Sequence, residues 1–91
     1  MNQDDFGLAN LGKGIRIKAY PNPSNGLVHL MFDKALKNAE ISLSELSGKV
    51  IFNKKLNTAI NEQIHLDGPA GIYLLRVKSS EGQTVMKLIK E

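Results

Sequence analysis

Short apolar segments separated by turn-forming residues recur from Ile15 to the end of the chain, at intervals of roughly ten residues. Within these segments apolar and polar residues alternate. Ile15, Ile17 and Ala19 share one parity, whereas Arg16 and Lys18 take the other. A period of two is typical of strands with one buried face. The pattern therefore predicts an all-β antiparallel sandwich, in which residues 33–38 are the one place where a short helical turn could form.

The alternation predicts seven strands, at residues 15–20, 27–32, 40–46, 49–56, 60–66, 72–79 and 84–90. Ser47-Gly48 is interpreted as a two-residue hairpin turn, and Glu81-Gly82 as the turn before the last strand. Ile60, Ile64 and Leu66 are predicted to face the core together. In the last strand the pattern leaves two inward sets open, either Val85 with Ile89 or Met86 with Leu88.

The chain of 91 residues is long enough for a single domain. Residues 1–14 are rich in Gly, Asn and Asp and show no strand period, so we predict a flexible linker there, joined to an N-terminal passenger that this chain lacks. Residues 15–91 form the predicted domain. The absence of Cys excludes disulfides, thiolate metal sites and Cys nucleophiles. The net charge of +3 comes from basic residues scattered along the sequence, so no nucleic-acid partner is predicted.

No catalytic constellation is visible in the sequence. His29 and His65 lie on separate predicted strands without the further ligands that a metal site needs. No nucleophile elbow, phosphate-binding loop or dinucleotide-binding motif is present. Tyr20 and Tyr73 are the only tyrosines, and Tyr73 is predicted in the core, so an aromatic platform for sugars is not expected. We predict no enzyme activity, cofactor, metal or small-molecule substrate.

The segment between the first two predicted strands is unusual. It reads Tyr-Pro-Asn-Pro-Ser-Asn-Gly at residues 20–26. Pro21 and Pro23 stiffen the backbone and remove two N–H donors, and Asn25-Gly26 turns the chain into the next strand. Such a segment serves either as a rigid connection between strands or as an exposed loop that a receptor reads at low ordering cost.

Four blocks of the sequence resemble the type A C-terminal sorting domain of type IX secretion, the Por secretion family. They are Tyr-Pro-Asn-Pro-Ser-Asn-Gly at 20–26, Leu-Ser-Gly-Lys-Val at 46–50, Pro-Ala-Gly-Ile-Tyr-Leu-Leu-Arg-Val at 69–77 and Met-Lys-Leu-Ile-Lys at 86–90. The blocks stand in the family's order and at its usual spacing, and the resemblance covers about residues 15–91. The resemblance implies a seven-stranded immunoglobulin-like β-sandwich at the C-terminus of a larger secreted protein of certain Gram-negative bacteria.

The resemblance also implies a function and a location. Such a domain crosses the periplasm and directs its covalently attached passenger to the outer-membrane translocon. A surface sortase then cuts in the linker, here within residues 6–14, and the passenger ends on the outer-membrane surface or outside the cell. The domain is an address label, and its partners are the translocon, the sortase and the passenger. The alternative is an immunoglobulin-like adhesion or spacer module at the end of a secreted enzyme. In isolation we expect a monomer, or a weak dimer formed through unpaired strand edges.

The family's motif positions, which the resemblance assigns to recognition by the translocon and sortase, are Pro21, Asn22, Pro23, Gly26, Gly48, Lys49, Gly71, Tyr73, Lys87 and Lys90. Within this set Gly48 and Gly71 are expected to shape turns, and Tyr73 to pack in the core. Glu45 departs from the family, which more often has Asp at that position.

Overall fold

The computed structural model describes residues 7–12 and 15–91, and the predicted linker residues 1–6 and 13–14 lie outside this part. The described residues form six antiparallel strands: β1 (Gly7–Gly12), β2 (Ile15–Tyr20), β3 (Leu27–Glu45), β4 (Val50–His65), β5 (Gly71–Ser79) and β6 (Gly82–Lys90). They belong to one sheet in the order β1-β2-β3-β5-β6, and β4 pairs with β3 outside that path. The sheet curls until β1 contacts β6, which encloses the core.

The predicted number of seven strands is wrong because two pairs of predicted strands are continuous. Residues 27–32 and 40–46 belong to β3, and residues 49–56 and 60–66 to β4. Residues 33–38, where the sequence left room for a short helical turn, belong to β3, although Asn38 has a φ of +54°. Between the Met31–Asn61 and Leu36–Ala59 pairs, β3 carries extra residues that β4 lacks, and such a bulge bends a strand without ending it. Each long strand thus serves both halves of the curled sheet.

A strand was also missed at the N-terminus. The prediction of no strand before Ile15 is wrong for β1, which pairs with β2 from Gly7 opposite Ala19 to Gly12 opposite Ile15. Its pairing is made by backbone groups, so it does not need the alternating pattern on which the prediction relied. Gly7 consequently lies beside the C-terminal end of β2, where the proline-containing segment begins.

The core is aliphatic, as the alternation predicts. Its largest fully buried side chains are Ile15, Ile17, Val28, Leu30, Leu36, Ile41, Leu43, Ile64, Leu66, Leu75, Val77 and Leu88. Ile60 was predicted inside but is 52% exposed, because the inward parity of β4 changes between Ala59 and Ile64 where the strand follows the bend of β3. The sequence left two possible inward-facing sets in β6. The structure buries Met86 and Leu88, whereas Val85 is 48% exposed.

Candidate functional site

The proline-containing segment, residues 20–26, is folded around Ser24. Both of its X-Pro bonds, Tyr20-Pro21 and Asn22-Pro23, are cis. The Ser24 Oγ donates to the carbonyl of Leu27 at 2.8 Å and accepts from the N–H of Gly26 at 2.9 Å. Ser24 is only 2% exposed, the single polar residue in the buried set of the described chain. Its buried hydroxyl therefore hydrogen-bonds two backbone groups of the turn and fixes the backbone where β3 begins.

The same segment is bonded to the end of β6. The Asn22 side chain donates from Nδ2 to the carbonyl of Lys87 and accepts at Oδ1 from the N–H of Ile89, both at 2.9 Å. The Ser24 N–H donates to the carbonyl of Ile89, and the Glu91 N–H donates to the carbonyl of Ser24, both at 2.8 Å. Residues 22–24 thus act as a short parallel edge strand beside residues 87–91. We call these two segments together the C-terminal clasp.

A second loop, residues 67–70, closes against the clasp. The Lys90 ammonium donates to the carbonyl of Gly68 at 2.6 Å, and the N–H of Leu66 donates to the carbonyl of Gly26 at 2.7 Å. The Tyr73 hydroxyl donates to the carbonyl of Pro69, and its ring is buried at 3% exposure, as the parity of its strand predicts. Tyr73 is therefore a support beneath this loop.

Glycines are required in this loop for two different reasons. Gly68 has a φ of +146°, and a Cβ there would approach the Tyr73 hydroxyl to 2.9 Å. Gly71 has a φ of +152° with open space around the Cβ position, so only its backbone conformation excludes other residues. Gly71 was predicted from the sequence. Gly68 was not, although its place between Asp67 and Pro69 is a turn signal.

The hairpin between β3 and β4 lies at the same end of the sheet. The N–H of Gly48 donates to the carbonyl of Glu45 and the N–H of Glu45 to the carbonyl of Lys49, both at 2.9 Å, which leaves a three-residue loop, 46–48, in place of the predicted two. Gly48 has a φ of +98°, which fits a loop of this kind. Glu45 pairs with Tyr73, and Tyr73 with Leu88, so the hairpin stands two strands, about 10 Å, from the end of β6.

The structure thus gathers the predicted positions at one end of the domain, in two neighbouring groups. Those at the clasp and its supporting loop are Pro21, Asn22, Pro23, Gly26, Gly71, Tyr73, Lys87 and Lys90. Gly48 and Lys49 lie at the adjacent hairpin, where Lys49 is exposed. Ser24 and Gly68 belong to the first group and were not anticipated.

The two histidines lie elsewhere, on the outer face of β3 and β4. His29 stacks on Tyr20 with ring centroids 5.5 Å apart, and both line an open groove of about 630 Å³ together with His65. Within residues 15–91 no group of three or more His, Asp or Glu side chains is placed to hold a metal ion. In that part of the chain there is also no helix long and apolar enough to cross a membrane.

Comparison with known families shows which family the chain belongs to. A family model described as the secretion system C-terminal sorting domain matches residues 18–91. The chain belongs to the type IX secretion C-terminal sorting domain family. The matched region contains the second half of β2 and all of β3 to β6, with the clasp, the supporting loop and the hairpin. The motif positions of this sorting domain therefore lie together at one end of the fold.

The sorting domain also resembles a solved structure. This is a DUF3244 family protein from Bacteroides vulgatus with an immunoglobulin-like β-sandwich fold, matched with a TM-score of 0.70 at 16% identity over 82% of this chain and 84% of that one. The likeness confirms an all-β antiparallel fold of immunoglobulin-like type, here with six strands in the described part of the chain. No curated protein matches the chain.

Proposed function

We propose that this sorting domain is the C-terminal address of a larger secreted protein and directs that passenger through the outer-membrane type IX translocon. Membership of the family supports export to the cell surface or the extracellular space. The route through the periplasm and the individual machinery partners belong to the proposal. The observation that carries it is the clasp, in which the proline block and the basic C-terminal block form one hydrogen-bonded unit.

The clasp has the physical properties of a readable signal. Four hydrogen bonds hold residues 22–24 against 87–91, so a receptor that binds this surface orders little additional chain. Pro21 and Lys87 are exposed there, and Lys49 is exposed on the adjacent hairpin. We propose that these three side chains contact the translocon or the sortase. Asn22, Pro23, Gly26, Gly48, Gly71, Tyr73 and Lys90 then act by holding the recognised shape.

The domain is removed at the surface by a cut within residues 6–14, on this proposal. Residues 7–12 form β1 and are paired with β2, and a peptide bond inside a strand ladder is protected from a peptidase. Cleavage inside β1 therefore requires that strand to leave β2 first. N-terminal mass spectrometry of the released domain tests this. A new N-terminus within residues 6–14 is expected, and one after Ile15 contradicts the proposal.

The proposal is tested by export of a reporter. The 91-residue chain is fused to the C-terminus of a fluorescent protein that carries a periplasmic export signal, in a strain with a working type IX system. Reporter on the surface or in the medium, lost in a translocon mutant, is the expected result. Reporter held in the periplasm, with the domain shown folded by protease resistance, contradicts it and favours the adhesion or spacer module.

A further inference from the structure

Basic residues that are scattered in the sequence meet on one face of the sheet. Glu40 of β3 pairs with Lys55 of β4 on one side and with Lys78 of β5 on the other. Directly paired residues point to the same face, and residues two apart on a strand do so as well. Arg76, two residues before Lys78, therefore shares their face. Lys87 of β6 pairs with Leu74 and joins them. We call Lys55, Arg76, Lys78 and Lys87 the basic face.

This face carries a surplus of positive charge. All four cations are exposed, and Glu40 is the one carboxylate at the strand positions of this face among the described residues. Its formal charge is therefore +3, equal to the net charge of all 91 residues. The other half of the sheet also carries exposed cations, Arg16, Lys18, Lys34 and Lys37, with Asp33 beside the first two. There the Lys54 ammonium lies 2.9 Å from a Glu62 carboxylate oxygen. The basic face differs in that its four cations occupy one face of paired neighbouring strands, which raises the positive potential over β5 and β6.

The groups between Lys55, Arg76 and Lys78 can form hydrogen bonds. Ser42 pairs with Asn53 on one side and Arg76 on the other, and Gln83 pairs with Lys78. These side chains and Glu40 line an open depression of about 220 Å³. Arg76 and Lys78 stand about 6.6 Å apart along β5, and Lys55 and Lys78 about 10 Å apart across the sheet. Hydroxyl and amide groups therefore lie between Lys55, Arg76 and Lys78, whereas the apolar Val85 and Leu74 lie between these cations and Lys87.

We propose that the basic face binds an anionic polysaccharide. Its cations match phosphate, sulfate or carboxylate groups, for which the Arg76 guanidinium offers two parallel N–H donors. The hydroxyl and amide side chains between them match sugar hydroxyls. Among the strand positions described for this face there is no aromatic ring, so the base stacking that single-stranded nucleic acid requires is missing. This binding does not rest on the proposed sorting function, although Lys87 belongs to both surfaces.

The test is a titration of the 91-residue chain with fluorescently labelled dextran sulfate, read by anisotropy at low salt, with unsubstituted dextran as the neutral probe. Binding to dextran sulfate and none to dextran is expected. The double variant Arg76→Gln with Lys78→Gln should weaken binding roughly 25-fold, since each cation near an anionic surface contributes about fivefold. The matched pair Arg16→Gln with Lys34→Gln removes the same charge elsewhere and should change binding less than twofold.

A second variant tests the basic face by removing negative charge instead of positive charge. Glu40→Gln removes its one carboxylate but keeps an oxygen for the Asn53 amide, which now donates to Glu40 at 2.9 Å. Binding should tighten about fivefold. Unchanged binding in Glu40→Gln, or equal losses in the two double variants, overturns the proposal. So does tighter binding at equal charge to polyglutamate, duplex DNA or phosphatidylglycerol vesicles, because each would assign the face to another partner. If the Arg76 and Lys78 variant fails to fold, Lys55→Gln with Lys87→Gln replaces it.

Discussion

The most informative single change is Asn22→Ala, because one side chain makes two of the four clasp hydrogen bonds. Its amide donates to the carbonyl of Lys87 and accepts from the N–H of Ile89, so truncation leaves both backbone groups of β6 without their partner. Each such bond contributes about 1 kcal/mol net. We therefore expect a loss of about 2 kcal/mol in the free energy of unfolding, or roughly 10 °C in Tm for a domain of this size.

The assay is urea unfolding of the 91-residue chain followed by circular dichroism. Asn61→Ala serves as the control, since Asn61 is an exposed amide on β4, and we expect it to change the free energy of unfolding by less than about 0.5 kcal/mol. Asn22→Asp keeps an acceptor for the N–H of Ile89 but sets a carboxylate oxygen against the carbonyl of Lys87, so it should be less stable than the wild type. If Asn22→Ala is no more destabilising than Asn61→Ala, the clasp does not hold the C-terminal strand.

Three further changes test the surrounding structure, each by thermal unfolding. Gly71→Val should destabilise the domain by about 1–3 kcal/mol because a β-branched residue is strained at a φ of +152°, and an unchanged Tm would contradict this. Gly68→Ala should cost at least as much, since its Cβ would also press on the Tyr73 hydroxyl; combining it with Tyr73→Phe should recover part of the loss. Leu88→Ala should cost about 2–5 kcal/mol and Val85→Ala less than about 1 kcal/mol, and the reverse order would mean that β6 faces the other way.

The strands were predictable because alternation is a local property of the sequence. Ile15 and Ile17, or Leu75 and Val77, indicate their buried face without reference to any partner. Where the outcome depends on pairing, the prediction failed. The bulge after Met31 bends β3 against β4, so a segment that resembles a break between strands is one strand. Likewise, β1 is held by the backbone of β2, and its composition carries no signal of that pairing.

The site divides in the same way. The proline segment and the basic C-terminal block were recognisable as motifs, but their union is a long-range contact between Asn22 and Ile89 that no local pattern contains. Ser24 and Gly68 were missed because their roles depend on what lies beside them, the carbonyl of Leu27 in one case and the Tyr73 hydroxyl in the other. The basic face could not be predicted from the sequence either, because the register of three strand pairs is needed to bring its cations together.

The central claim is that the clasped end of the sorting domain is an export address. Its most direct test compares three fusions to one exported fluorescent passenger: the intact chain, the Asn61→Ala control, and a chain that lacks Lys90 and Glu91. The truncated chain loses the hydrogen bonds that Lys90 and Glu91 donate to the carbonyls of Gly68 and Ser24, but it keeps the buried Leu88. We expect surface or released fluorescence for the first two fusions, and periplasmic retention of the third with its domain still protease-resistant. Equal export of all three would contradict a role for the clasp, and retention of all three would contradict the sorting function itself.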